Sequence, residues 1–94
     1  MRWTWDASKN RINRRRHGIS FETAQRVFED PLHLSVINPF PDEERWQTVG
    51  VVGGVTLLVI HTSPREENDD TTGRIISARK ATRNERKAYE EYVG

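Results

Sequence analysis

The 94-residue chain contains no cysteine, which excludes disulfide bonds and thiolate chemistry and suits a reducing, cytoplasmic location. Hydrophobic residues make up only 34% of the sequence and charged residues 31%. We therefore expect one small domain over residues 1–94 with a thin core. The first residues lack the apolar segment of a signal peptide. The charge-free segment 46–64 is interrupted by Gly50, Gly53 and Gly54, so we expect no membrane span.

Sequence motifs for metal ions and nucleotides are also missing. There is no glycine-rich phosphate loop, no H-E-x-x-H motif, and no Cys/His spacing of a metal site. The three histidines, His17, His33 and His61, are isolated in the sequence. We expect no metal and no cofactor, so catalysis on a phosphate would use Lys, Arg, His and Glu side chains. RNA permits this, because its own 2′-hydroxyl can act as the nucleophile.

The net charge of +1 conceals a strong segregation of charge along the chain. Residues 1–18 carry a net charge of +5 and residues 74–94 a net charge of +3. Residues 19–45 and 46–73 carry −4 and −3. If the two basic ends meet in the fold, they form one cationic surface suited to a phosphate-bearing partner. The alternative is that these are ordinary solvated helix faces.

The pattern of apolar and turn residues predicts an α+β fold, with an antiparallel sheet of about four strands, two N-terminal helices and one C-terminal helix. The expected helices run over 7–17, from Ser20 through Phe28, and after the cap residue Thr82. The expected strands are Trp3–Asp6, Leu32–Ile37, Arg45–Val52, Val55–Thr62 and Arg74–Lys80. Asn38–Asp42 predicts a turn, and residues 63–73 predict a solvated loop.

The first predicted helix carries polar residues on the face that should turn toward the sheet. At about 100° per residue, Lys9, Asn13 and Arg16 share this face, with Ile12 at its margin as the only large apolar residue. They form either an ordinary structural network or a functional polar pocket. His17 ends the helix, where the helix dipole favours its cationic form; the same field suits a phosphate contact or a general acid.

The predicted strand 74–80 carries cations beside apolar residues. Strict alternation would place Ile75, Ser77 and Arg79 on one face. Arg79 beside a serine hydroxyl fits an anion, but it could equally pair with Glu85 or with the acidic middle of the chain. Glu85 itself completes a capping box with Thr82.

Two sets of residues, one at each end of the chain, together match a family pattern. The first set is Trp5-Asp6, Lys9, Asn13 and Arg16-His17-Gly18-Ile19. The second set is Arg74–Ala81, Glu85-Arg86 and Tyr89-Glu90. With these residues the sequence resembles the BrnT-type toxins over nearly its whole length. It departs from their pattern at Arg16, which replaces the usual lysine, and at His61, where a tyrosine often stands.

The resemblance implies a type II toxin with a RelE-like α+β fold that cleaves RNA and arrests translation and growth. It also implies a BrnA-type antitoxin with a ribbon-helix-helix DNA-binding part, in a two-plus-two complex that binds operator DNA. The motif positions carried over as catalytic candidates are Lys9, His17, Arg79 and Glu85. Those carried over as RNA-binding candidates are Arg16, Arg74, Ser77, Arg83 and Arg86.

Within this resemblance, Arg79 would stabilise the scissile phosphate and Lys9 would supply a second cation. Either His17 or Glu85 would transfer protons. Two other functions remain open on the sequence: a nucleic-acid-binding regulator without catalysis, and an interaction module whose acidic middle docks a basic partner. Steep salt dependence of binding without RNA cleavage would favour the first of these.

Overall fold

The computed structural model of the protein describes residues 1–38, 44–67 and 70–94. The helices in these ranges are α1 (Ala7–His17), α2 (Phe21–Ala24), a 3-10 helix (Gln25–Glu29) and α3 (Arg83–Val93). The strands are β1 (Arg2–Thr4), β2 (Leu34–Asn38), β3 (Arg45–Val52), β4 (Val55–Thr62), β5 (Arg65–Glu67) and β6 (Asp70–Lys80). They form one sheet in the order β1-β6-β4-β3-β2, with β5 also paired to β6.

The sheet is larger than predicted, and it is mixed. β1 pairs in parallel with β6, from Arg2 opposite Thr72 to Thr4 opposite Arg74. The prediction of about four antiparallel strands is therefore wrong in both strand number and direction. Residues 63–73, predicted as a solvated loop, contribute β5 and the first part of β6. Because the side chains of this segment are mostly polar, the sequence does not indicate that its residues form strands. The first part of β6 pairs with β5 and with β1, and β1 lies far away in the sequence. Gly73 fits this pairing, because a Cβ there would overlap the Trp3 ring.

The central hairpin is confirmed at the predicted residues. β3 and β4 pair in antiparallel register from Arg45 opposite Thr62 to Val52 opposite Val55. Gly53 and Gly54 form the turn with φ values of 57° and 82°, which glycine adopts without steric cost. The turn predicted at Asn38–Asp42 lies largely outside the described residues, which end at Asn38 and resume at Glu44.

The second predicted helix is only partly α-helical. Ser20 caps it by accepting a hydrogen bond from the Thr23 amide, but the α-helix ends after four residues and continues as a 3-10 helix. Asp30 is extended, as expected for a residue that precedes a proline. The predicted apolar stripe of this segment is confirmed, since Phe21, Ala24 and Val27 are fully buried.

Each face of the sheet carries its own hydrophobic core. On one face α2 and the 3-10 helix cover a core that includes Phe21, Val27, Val59 and Ile75. On the other face α3 packs Tyr89 against Val49 and Leu58. The C-terminal part of β6 is flanked by β4 on one side and lies beside α1 on the other. This part of β6 is where the candidate residues from the two ends of the chain meet.

Candidate functional site

Asn13 joins the first basic segment to the second. It is only 6% exposed, and its amide nitrogen donates to the carbonyls of Ile19 (2.9 Å) and Ala78 (2.8 Å). Its Oδ1 accepts from the Ala78 amide at 3.1 Å. Asn13 thus pairs with the free edge of β6 as a neighbouring strand would. This favours the structural interpretation of Asn13 and confirms that its face of α1 turns toward the sheet.

A shallow cavity of about 150 Å³ lies beside the Asn13 side chain, between α1 and β6. Its lining includes four of the predicted site residues, namely Lys9, Arg16, His17 and Ser77. Lys9, Arg16 and His17 are exposed. Ile12 also lines the cavity and is 52% exposed, so its side chain belongs to the wall of this cavity and not to a hydrophobic core. We name this feature the α1–β6 cavity.

The register of β6 changes beside this cavity. Ser77 pairs with Ile60 but Ile75 pairs with His61, so Ile76 has no opposite partner on β4. Because of this bulge, Ile75 and Ala78 both enter the core beneath the 3-10 helix. The expectation that Ile75 shares a face with Ser77 and Arg79 is therefore wrong.

Arg79 extends from the face of β6 that α3 covers, where Glu85 holds it in place. Its two terminal nitrogens donate to the two carboxylate oxygens of Glu85 at 2.7 and 3.0 Å, a bidentate ion pair. Glu85 also accepts from the Thr82 amide at 2.8 Å, which completes the predicted capping box. The pairing predicted as one alternative for Arg79 is present, and it leaves the Arg79 side chain 39% exposed.

The pKa values of this pair move in the directions that ion pairing produces. The hydrogen bonds from Arg79 lower the pKa of Glu85 to about 2, against the opposing effect of partial burial. The hydrogen bonds to Glu85 raise the pKa of Arg79. Glu85 is therefore ionised at neutral pH and has no proton to donate, and Arg79 is a fixed cation.

The remaining predicted RNA-binding residues extend the cationic surface in both directions along β6. Arg74 is exposed, and its backbone amide donates to the Thr62 hydroxyl. Arg83 and Arg86 are exposed on α3, where Arg86 forms a loose ion pair with Glu90 at 3.8 Å. The last turn of α1 carries the basic residues Arg14, Arg15, Arg16 and His17, of which Arg16 and His17 line the α1–β6 cavity. The two basic ends of the sequence thus converge on one strand.

A second and larger cavity, of about 330 Å³, lies at the opposite end of β6, on the face that the 3-10 helix covers. We name it the aromatic cavity; its lining includes Trp3, Phe28, His33, Ser35, Trp46 and His61. Trp3 stacks on Phe28 with ring centres 4.1 Å apart, and His61 meets both rings edge-on. Sequence reasoning missed this cavity, because its residues come from separate elements and its histidines are isolated in the chain.

In the polar wall of the aromatic cavity, the donor and the acceptor of each hydrogen bond can be assigned. His61 Nδ1 must donate to the Thr62 carbonyl (2.8 Å), and burial lowers the pKa of His61, so the ring is neutral and its Nε2 accepts. Thr48 therefore donates to Nε2 at 2.6 Å, and Ser35 donates to Thr48 at 2.6 Å. With its proton committed, the Ser35 oxygen offers only lone pairs to the cavity.

Asp30 is a second feature that the sequence did not reveal. Its carboxylate accepts from the amides of Leu32 and Val51 (both 2.9 Å) and from the Tyr89 hydroxyl at 2.5 Å. Burial raises the pKa of Asp30, but these hydrogen bonds outweigh it and lower the pKa overall. Burial, aided by the hydrogen bond to Asp30, raises the pKa of Tyr89 to about 12. The sequence indicates Asp30 as the residue before Pro31, where the second predicted helix ends, and as one position of the family pattern, but it does not indicate these contacts.

These features define an α+β protein whose mixed sheet carries cationic side chains and the α1–β6 cavity along the C-terminal half of β6, a surface that we call the groove along β6. Residues 5–85 match the family described as the ribonuclease toxin BrnT of type II toxin–antitoxin systems. The chain belongs to this family, whose members are ribonuclease toxins with an antitoxin partner. The search of curated proteins finds no match.

Two further observations concern the described residues alone. In these ranges no three His, Cys, Asp or Glu side chains come together as a set that could hold a metal ion. No helix within the same ranges has the length and apolar character needed to cross a membrane.

Proposed function

We propose that this protein is a metal-independent endoribonuclease whose active site is the groove along β6. The observation that carries the proposal is the fixed Arg79 guanidinium on the same strand as the α1–β6 cavity, which Lys9, His17 and Ser77 line. The family of ribonuclease toxins supports the reaction type. Its residue pattern supports these positions, since each of them belongs to one of the two terminal motifs.

In the proposed reaction the RNA 2′-hydroxyl attacks the adjacent phosphorus and the 5′-oxygen leaves. The 2′-proton is removed to a base and a proton is delivered to the leaving oxygen, giving a 2′,3′-cyclic phosphate and a 5′-hydroxyl. Arg79 and Lys9 stabilise the negative charge that grows on the phosphate oxygens. His17, whose imidazole can act as a general acid and base, transfers the protons.

Glu85 takes a positioning role in this scheme. With a pKa of about 2 it cannot serve as an acid at neutral pH, and both of its oxygens already accept hydrogen bonds from Arg79. It holds the guanidinium in a fixed orientation on β6. The RNA backbone is held by the surrounding polar and cationic residues Arg16, Arg74, Ser77, Arg83 and Arg86.

The finer biological statements also belong to this proposal. Cleavage of cytoplasmic RNA would block translation and growth. A BrnA-like antitoxin with a ribbon-helix-helix part would neutralise the toxin in a two-plus-two complex that binds operator DNA. The family, in which toxin and antitoxin form one system, supports an antitoxin partner of this kind.

The test is cleavage of labelled RNA by the purified protein, with and without EDTA. We expect cleavage in both conditions, with cyclic-phosphate termini on the products. Arg79→Ala and Lys9→Ala should each lower the cleavage rate by about 100-fold or more, as expected for loss of a charge-stabilising group. Arg11→Ala is the matched control, because Arg11 is an exposed α1 cation that does not line the α1–β6 cavity.

Several outcomes would contradict the proposal. Cleavage that EDTA abolishes would refute metal independence. Full activity of folded Arg79→Ala and Lys9→Ala variants would place the active site elsewhere. RNA that is retarded on a gel but stays uncleaved would identify a nucleic-acid-binding regulator instead.

A further inference from the structure

The aromatic cavity is not used by the proposed reaction, and its chemistry differs from that of the groove. No lysine or arginine is among its lining residues in the described parts of the chain. Most of its wall comes from the acidic middle of the sequence, residues 19–73. A phosphate-bearing ligand would therefore find no cationic side chain in the wall.

The polar groups of this cavity are hydrogen-bond acceptors. Ser35 has committed its proton to Thr48, so its oxygen can only accept. His33 Nδ1 donates to the Asp30 carbonyl at 2.7 Å, so Nε2 is the ring nitrogen that is left to meet a ligand. The Ser63 hydroxyl, also in the lining, can rotate to accept as well. The wall thus suits a ligand that carries several N–H donors.

Trp46 adds an aromatic surface to the cavity, and Glu44, which is not among the lining residues, brings a negative charge beside that ring. Trp46 is half-buried and, within the described residues, contacts no other aromatic ring, unlike Trp3. Its indole N–H donates to the Glu44 carboxylate at 3.1 Å, which holds this exposed carboxylate beside the ring. An aromatic ring next to a carboxylate attracts a cation both through the π-system and through charge.

Acceptors, an aromatic surface and a carboxylate together match one side chain better than any other. The arginine guanidinium is planar and permanently cationic, carries five N–H donors and no acceptor, and stacks on aromatic rings. We propose that the aromatic cavity binds an arginine side chain presented by a protein partner. Binding here requires none of the groove residues, so this inference stands independently of the proposed RNA cleavage.

The test uses the intact protein and nuclear magnetic resonance of its three indole N–H groups. The probe is a blocked Gly-Arg-Gly tripeptide. We expect it to shift the Trp46 and Trp3 signals and to leave Trp5 unchanged, because Trp5 packs against Phe21 and does not line the cavity. The matching peptide with citrulline, which has the same shape without the charge, should give no such shift.

Two variants and a control sharpen the result. Glu44→Gln should weaken the Gly-Arg-Gly complex by about 2- to 5-fold. Trp46→Leu should weaken it by about 2- to 30-fold, read from the Trp3 signal. Glu91→Gln, an exposed carboxylate on α3, should leave the affinity unchanged. Because Glu44 is exposed and outside both cores, its variant tests the proposal even if Trp46→Leu does not fold.

The proposal fails if the arginine peptide leaves all three indole signals unchanged, or if citrulline shifts them equally. A Gly-Lys-Gly peptide that binds as tightly as Gly-Arg-Gly would refute selection of the planar guanidinium. Adenosine monophosphate that shifts Trp46 and Trp3 while the arginine peptide does not would make the cavity a nucleotide pocket. None of these outcomes depends on whether the protein cleaves RNA.

Discussion

Asn13 shows how a single polar side chain can decide the arrangement of a cationic helix. α1 has little apolar surface to bury, since Asn13 is its only buried residue. Its three hydrogen bonds to backbone groups of Ile19 and Ala78 therefore replace the apolar contacts that usually dock a helix. The orientation of Lys9 and His17 toward β6 depends on this amide together with Asn10, whose Oδ1 accepts from the Phe21 amide at 2.8 Å.

Replacement of Asn13 should accordingly destabilise the protein. We expect Asn13→Ala to lower the free energy of unfolding by about 1–3 kcal/mol, because it leaves buried backbone groups without partners. Asn13→Asp should be at least as harmful, since a carboxylate cannot donate to the two carbonyls. Urea denaturation measures both, with the exposed Arg14→Ala as the control. An Asn13→Ala variant as stable as the control would show that α1 is held by other contacts.

For individual residues, some contacts could be predicted from the sequence and others could not. The inward face of α1 follows from helical periodicity, and the Arg79–Glu85 pair follows from proximity in the chain, so both could be foreseen. The exposure of Ile12 could not, because a lone apolar residue does not reveal whether it lines a core or a cavity. The contacts of Asp30 join residues up to 59 positions apart and leave no local signal.

At the level of elements, the start of α3 combines a capping box with an ion pair. Glu85 accepts from the Thr82 amide and from Arg79, so one carboxylate both caps the start of the helix and fixes the cation on β6. Protonation of Glu85 would weaken both contacts at once. Helix stability and the position of Arg79 are thus linked through the charge of this residue.

The pH dependence of stability should report this link. The pKa of Glu85 is lowered from 4.5 to about 2 in the folded protein, so its contribution is complete above pH 4.5 and is lost as the pH falls toward 2. We expect Glu85→Gln to cost about 1–2 kcal/mol at pH 7 and much less near pH 2. Thermal unfolding of both proteins across this range measures the difference. A difference that stays constant with pH would contradict the ion pair.

Elements with local signals are the ones that the sequence predicts well. The hairpin Arg45–Thr62 and α3 are confirmed at the expected residues, because Gly53-Gly54 and the Thr82 capping box specify them locally. β5 and the first part of β6 were missed because their residues are polar and their pairing partners lie elsewhere in the chain. The 3-10 helix also follows from packing rather than from periodicity.

At the scale of the whole molecule, Asp30 connects the two faces of the sheet. It follows the 3-10 helix of one face, accepts from Val51 at the end of β3, and binds Tyr89 of α3 on the other face. Both hydrophobic cores therefore depend on one carboxylate. A substitution at Asp30 should therefore disturb the packing on both faces of the sheet, whereas most single substitutions disturb one face.

A double-mutant cycle tests this connection. Tyr89→Phe and Asp30→Asn should each destabilise the protein by about 1–3 kcal/mol, and their effects should be less than additive because they remove one shared hydrogen bond. Equilibrium denaturation of the two single variants and the double variant gives the coupling energy. Strict additivity would mean that the hydroxyl and the carboxylate contribute independently.

The bond between Asn13 and Ala78 also has a consequence for how the protein is made. These residues are 65 positions apart, and the parallel partner of β1 likewise lies near the C-terminal end of the described sheet. A ribosome must therefore synthesise the chain through β6 before the groove along β6 can form. Contacts of such long sequence separation cost loop-closure entropy and form slowly. During its own translation the nascent chain therefore lacks the assembled cationic groove until Lys80 has been added.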